Sequence, residues 1–173
     1  MNTNTNSEIT IFIDGACQNN PGPGGWGVVI HYNESIGEST EKRIEELFGG
    51  EHETTNNRME LMAAIRALEI LPEHCAAKIY TDSKYVSQGI VDWLPKWKKR
   101  SWKTADNAPV KNKDLWQRLE AAVQKRDIEW QWVKAHSGNI GNERADELAK
   151  QGITSTRTQE TSQVFENLYE DLI

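Results

Sequence analysis

The chain has 173 residues, 37 % hydrophobic and 27 % charged, with a formal net charge of −6. That length suits one domain with a real core, and no apolar stretch approaches the roughly eighteen residues a membrane helix needs. An evenly spread acidity of this size would argue against a nucleic-acid binder, but the charge is uneven. Lys96–Lys113 holds seven Lys or Arg against one Asp, Glu34–Glu60 is acid-rich, and the stretch after Gln159 has four acids and no base.

The opening MNTNTNSE has neither a basic patch nor an apolar run, so no secretory signal is expected. Cys17 and Cys75 lack metal-ligand spacing and read as reduced thiols of a cytoplasmic protein. Residues 1–8 form a polar lead-in, predicted disordered. ITIFID (Ile9–Asp14) alternates isoleucines with Thr10, Phe12 and Asp14, the period of a strand. The Gly- and Pro-rich Gly15–Gly25 is a turn. WGVVIHY (Trp26–Tyr32) is a second strand, and a third falls somewhere in Ile36–Phe48.

In TTNNRMELMAAIRAL, Asn57 is a candidate N-cap with Glu60 three residues on, the pattern of a capping box. Leu61, Ile65 and Leu68 share one face of the helix that follows. AKIYTD (Ala77–Asp82) is a short strand ending, like the first, in Asp. SKYVSQGIVDWL (Ser83–Leu94) is helical, and Pro95 should break or kink what comes next. A helix near Asn112–Lys125 places Leu115, Leu119 and Ala122 together. IEWQWV (Ile128–Val133) is a strand, and Asn142–Lys150 is a helix capped by Asn142. Residues 9–152 form one domain, and the polar, acidic 153–173 is expected as a flexible tail. Three opening strands followed by alternating helix and strand predict a mixed α/β sheet, antiparallel first and parallel later, with helices on its faces.

Asp14 and Asp82 both close strands, at the edge where open α/β sheets bind ligands. Glu60 and Asp146 lie early in helices. If those helix starts face the same edge, four carboxylates converge, and such a cluster needs a cation. Oxygen-only donors suit Mg²⁺. Each acid also has an ordinary structural reading: Glu60 as capping-box partner, Asp82 as N-cap, Asp14 as turn residue, Asp146 as an exposed helical acid.

DGACQNNPGPGGWG, TTNNRMELMAAI, TDSKYV, WKKRSWKTADNAPVKNKDLWQRL and VKAHSGNIGNERADELA occur in this order, from about Ile9 to Lys150. Together they closely resemble bacterial type 1 ribonuclease H. The resemblance implies a ribonuclease H-like fold, with a five-stranded mixed sheet flanked by helices. It implies an endonuclease that cuts the RNA strand of RNA–DNA hybrids with two Mg²⁺ ions (Mn²⁺ substituting), leaving 5′-phosphate and 3′-hydroxyl ends. Asp14, Glu60, Asp82 and Asp146 match the family's metal-binding carboxylates. His136 matches a loop histidine that assists proton transfer or product release, work that suits a group titrating near neutral pH. Glu143, one turn before Asp146, is a weaker candidate for positioning water.

The resemblance also accounts for the basic segment. In related enzymes it is a handle that grips the hybrid, here Trp93, Lys96, Trp97, Lys98, Lys99, Arg100, Trp102 and Lys103, with Trp93 expected buried and the lysines on phosphates. Cys17, Gln18, Asn19, Asn20, Asn56 and Asn57 match minor-groove contacts, and Thr55 a DNA-phosphate contact. For the asparagines, turn and cap chemistry competes with that reading. Lys84 departs from the glutamine of a well-known bacterial relative, and the acidic Glu34–Glu53 is longer than usual. The expected protein is a monomer with no obligate protein partner. The alternatives are a hybrid-binding module without catalysis, or another nuclease on the same fold.

Overall fold

Five strands form one sheet in the order β3-β2-β1-β4-β5 in this computed structural model, which describes residues 6–170, with side chains described over 7–156. Strands β1 (Asn6–Cys17), β2 (Gly22–Ile36) and β3 (Ser39–Thr54) pair antiparallel in sequence. Strands β4 (Ala76–Thr81) and β5 (Asp127–Trp132) join parallel on the other side of β1. The mixed sheet is therefore the expected one.

The first three strands are longer than their patterns suggest. Asn6–Glu8, expected with the lead-in, pair with Ser35–Asn33; residues 1–5 lie outside the described residues. The β2–β3 hairpin closes at Gly37, whose φ of +65° suits a residue without a Cβ. β3 runs to Thr54, well beyond Phe48. It is an edge strand, and its exposed Glu41, Lys42 and Arg43 discourage a further strand from pairing there. That gives the charged character of this stretch, of both signs, a structural reason.

Alternation along β1 sends Ile9, Ile11 and Ile13 into the larger core. Helix α1 (Asn56–Glu69) covers them with Leu61, Ile65 and Leu68, as its spacing predicts. Its cap is different. Thr55 is the N-cap, its hydroxyl accepting from the Arg58 N–H at 3.3 Å. Asn57 and Glu60 therefore lie inside the helix, and no capping box forms. Helix α4 (Lys113–Gln124) adds Leu115, Leu119 and Ala122, with Trp116 fully buried beside them.

Between β4 and α4 the chain forms α2 (Lys84–Gln88), a π-helical turn (Gly89–Trp93) and α3 (Leu94–Lys99). The cap of α2 is Ser83, not Asp82: the Ser83 hydroxyl accepts from the Val86 N–H at 3.2 Å. Pro95 sits in the first turn of α3, where its missing N–H leaves no bond unmade. The break falls in the π turn just before it.

Helix α5 (Ile140–Glu170) crosses the opposite face of the sheet, where Ala145 and Leu148 pack on Val29 and Phe12. The Asn142 N–H donates to the Asn139 side chain at 2.9 Å, so Asn142 lies within the first turn and does not cap it. The helix continues through residue 152 without a break. Ile153 and Thr156, placed by sequence in the flexible tail, are buried. No helix among the described residues is long and apolar enough to cross a membrane.

Candidate active site

Parallel pairing of β1 with β4 ends at Ile13 and Thr81, so the next residues, Asp14 and Asp82, lie side by side where β4 stops, Asp14 still paired with Gly27 of β2 because β1 runs on to Cys17. Glu60 reaches them from the first half of α1. The close approach depends on Gly15: a Cβ there would lie 2.4 Å from the Glu60 nitrogen and 2.6 Å from the Met59 carbonyl carbon. One carboxylate oxygen from each of Asp14, Glu60 and Asp82 lies within 4.8 Å of the others. Asp14 is 5 % exposed and Glu60 4 %.

Burial, then the Asp82 charge, pushes the Asp14 carboxyl from its ordinary 3.8 to about 8. Burial and the Asp14 charge push Glu60 well up as well. Three buried or half-buried carboxyls this close cannot all ionise without a counter-charge. One Glu60 oxygen, Oε2, is buried with no hydrogen-bond partner, an expensive state for a carboxylate. Oxygen donors only, with no Cys or His among them, fit a hard divalent cation such as Mg²⁺ or Mn²⁺ better than zinc.

Asp146 is beside this triad but not part of it. Its charge contributes to the rise at Asp14, yet its Oδ2 pairs with Lys150 Nζ at 2.8 Å, one turn further along α5. Two neighbours of Asp82 were not read from sequence as residues of the site. The Asn142 amide, 3 % exposed, donates Nδ2 to Asp82 Oδ2 at 3.4 Å, and the Trp132 indole donates to the Asp82 carbonyl at 3.1 Å. Asn142 lies four residues before Asp146 and so shares its helix face, the signal that a cap reading obscured. The Lys84 ammonium sits 5.3 Å from the Trp132 ring centre, within cation–π range.

His136 is exposed, with a φ of +52°, on the loop between β5 and α5. Glu143 is exposed in the first turn of α5.

The turn after β1 and the start of α1 form one rim. Asn20 Oδ1 accepts from the Asn56 N–H at 2.9 Å. The Cys17 thiol donates to the Thr54 and Gly22 carbonyls at 3.4 and 3.5 Å. Asn57 is exposed. The Thr55 hydroxyl is engaged as a helix cap.

In the handle, Lys96, Lys98, Lys99, Arg100 and Lys103 are all exposed. Lys98 is nonetheless tied to Glu120 of α4 at 2.6 Å. Trp93 is half-buried, not buried as expected, and it shares that state with Trp97 and Trp102. The rings of Tyr85, Trp93, Trp97 and Trp102 follow one another at centroid distances of 5.6, 5.9 and 6.2 Å. Trp97 meets the buried Trp116 at 5.4 Å. The tryptophans thus make an aromatic stem that roots the basic surface in the core.

A family model described as RNase H matches residues 6–154. The chain belongs to the RNase H family. A Ribonuclease H of Alcanivorax borkumensis is 61 % identical over 145 residues, covering 84 % of this chain and 91 % of the relative. A Ribonuclease HI of Caulobacter vibrioides is 53 % identical over 146 residues, covering 84 % and 93 %. These relatives make the chain an enzyme of the ribonuclease H class. A solved structure of LC9-RNase H1, described as a type 1 RNase H with the type 2 active-site motif, superposes with a TM-score of 0.77 at 32 % identity, covering 86 % of this chain and 72 % of that one. LC11-RNase H1 in complex with RNA/DNA hybrid shares the fold, with a TM-score of 0.59 at 24 % identity, covering 86 % and 98 %. In RNase H terms, the carboxylates suggested by sequence are three in one cluster and a fourth alongside, held by Lys150.

Proposed function

We propose that this RNase H-family enzyme hydrolyses the RNA strand of RNA–DNA hybrids by internal cleavage, leaving 5′-phosphate and 3′-hydroxyl ends. The observation that carries the reading is the Asp14–Glu60–Asp82 cluster, with Asp14 and Glu60 buried, Asp82 half-buried and one Glu60 oxygen unpartnered. Asp14, Glu60, Asp82 and Asp146 are the residues to hold two Mg²⁺ ions, with Mn²⁺ as substitute. When bound, such ions activate a water and stabilise the charge growing on the leaving 3′ oxygen.

The rest falls to the chain's own groups. Asn142 and Trp132 hold Asp82 at its side chain and its carbonyl. His136, on an exposed loop, assists proton transfer or product release. Lys96, Lys99, Arg100 and Lys103 neutralise phosphates of the bound duplex, and the stem of Trp93, Trp97 and Trp102 presents them. Cys17, Asn20, Asn56 and Asn57 line the minor groove, where 2′-hydroxyls on one strand and deoxyribose on the other distinguish a hybrid. Thr55 serves a DNA phosphate from its position at the start of α1. The enzyme acts as a cytoplasmic monomer.

The test is cleavage of an end-labelled hybrid with Mg²⁺ by wild type and Asp82→Asn. Double-stranded DNA, double-stranded RNA and single-stranded RNA run alongside. Internal cuts in the RNA of the hybrid alone, lost in the variant, are expected. A hybrid bound but left intact by the wild type would sink the reading.

A further inference from the structure

Lys150 is the one partner recorded for the Asp146 carboxylate among the described residues, with Nζ 2.8 Å from Oδ2. The lysine side chain is 66 % exposed and the aspartate 21 %. The lysine therefore reaches inward from solvent to the edge of the carboxylate cluster. Asp146 cannot join Asp14, Glu60 and Asp82 by a shift of its helix. The backbone of α5 is seated against two glycines of β2: a Cβ on Gly27 would lie 2.3 Å from the Ala145 carbonyl oxygen, and one on Gly25 2.1 Å from that of Ala149. With the helix fixed on both sides of Asp146, only rotation of the aspartate side chain is left. Lys150 Nζ is already on one oxygen of that side chain.

We propose that Lys150 is a positioning residue that competes with a divalent cation for Asp146, and so sets the cation concentration at which the fourth carboxylate joins the cluster. This rests on the reading above that the carboxylates hold divalent cations. The ammonium stands in for the missing charge and is displaced as the cation takes the aspartate. No covalent step is involved. An exposed pair four residues apart on a helix is weak, so the effect is modest: removing the lysine should tighten cation binding about threefold.

The experiment is calorimetric titration of the full chain, free of nucleic acid, with Mg²⁺ and with Mn²⁺. Wild type is compared with Lys150→Gln and Lys150→Arg, each checked for folding by thermal melting. Lys150→Gln should bind the cation about threefold more tightly, with Lys150→Arg close to wild type. The Mg²⁺ concentration for half-maximal hybrid cleavage should fall by the same factor. In an Asp146→Asn background the gain from Lys150→Gln should disappear. Unchanged or weaker binding by folded Lys150→Gln overturns the proposal, and so does an undiminished gain in the Asp146→Asn background. The titration needs no substrate: if Lys150→Gln binds more tightly while wild type leaves hybrids uncut, the Lys150 assignment stands and the hybrid reading fails.

Discussion

Gly15 and Glu60 are in backbone contact: the space a Cβ on Gly15 would take lies 2.4 Å from the Glu60 nitrogen. Neither group is a mobile side-chain end, so the contact cannot relax by a rotamer change. Gly15→Ala should push α1 away from the end of β1 and carry Glu60 away from Asp14. Overpacking of this kind costs about 1–3 kcal/mol. Urea unfolding should show that loss, and hybrid cleavage should fall more steeply than the folded fraction. An alanine variant of full stability and activity would show that the contact does not position Glu60.

The cluster also fixes the sign of a pH effect. The Asp14 carboxyl is raised in the folded protein from 3.8 to about 8. A raised folded value means that the group's stabilising contribution is full below pH 3.8 and is lost as pH rises toward 8. Metal-free wild type should therefore lose stability across that window. Asp14→Asn, which has no charge to bury, should melt higher than wild type at pH 8 in chelator. The advantage should vanish near pH 4. Added Mg²⁺ should restore wild type and not the variant. Melting curves at three pH values with and without Mg²⁺ decide it; equal melting at pH 8 in chelator would count against burial of an ionisable cluster.

The handle charges should separate by their partners. Lys99, Arg100 and Lys103 have no recorded salt bridge among the described residues, whereas Lys98 is held by Glu120. Alanine at Lys99, Arg100 or Lys103 should each weaken hybrid binding and reduce the slope of log affinity against log salt by about one. Lys98→Ala should change the slope less, because its charge is already answered. Filter binding across a salt series reads both. Equal slopes for all four variants would mean that the Lys98–Glu120 pair opens on binding.

The sheet was legible because its signals are local and periodic: Ile9, Ile11 and Ile13 alternate, and Leu61, Ile65 and Leu68 repeat at helical spacing. Asp82 was legible as a strand end, whereas β1, expected to end at Asp14, runs on to Cys17 through glycine- and proline-rich sequence that reads as a turn. What failed was local chemistry that several residues could supply equally well. Thr55, Asn57 and Asn139, Asn142 are each competent caps, and which one caps depends on how the chain enters the helix, which a pattern does not contain. The Trp93 expectation failed for a related reason. A row of tryptophans reads as buried or as binding surface, and the stem makes it half of each, with Trp116 as the anchor. The Asp146–Lys150 pair has the i,i+4 spacing of a helical ion pair, but that it lies beside the carboxylate triad is a matter of tertiary placement.

Asn142 supplies the last prediction. Its amide orientation follows from electrostatics: Nδ2 faces the Asp82 carboxylate, since Oδ1 there would repel it. Oδ1 is buried without a partner. A hydrogen bond to a charged group is worth about 1.5–3 kcal/mol when well formed, and this one is long at 3.4 Å, so its loss should sit at the low end. Asn142→Ala should lower kcat for hybrid cleavage about tenfold, with KM little changed because Asn142 is itself buried and touches Asp82. Asn142→Asp should be worse than Asn142→Ala, since it places another carboxylate against Asp82 and removes the donor. If both variants cleave at the wild-type rate, Asp82 is held by Trp132 and the strand end alone. If Asn142→Ala instead raises KM at constant kcat, the residue acts on the duplex and not through Asp82.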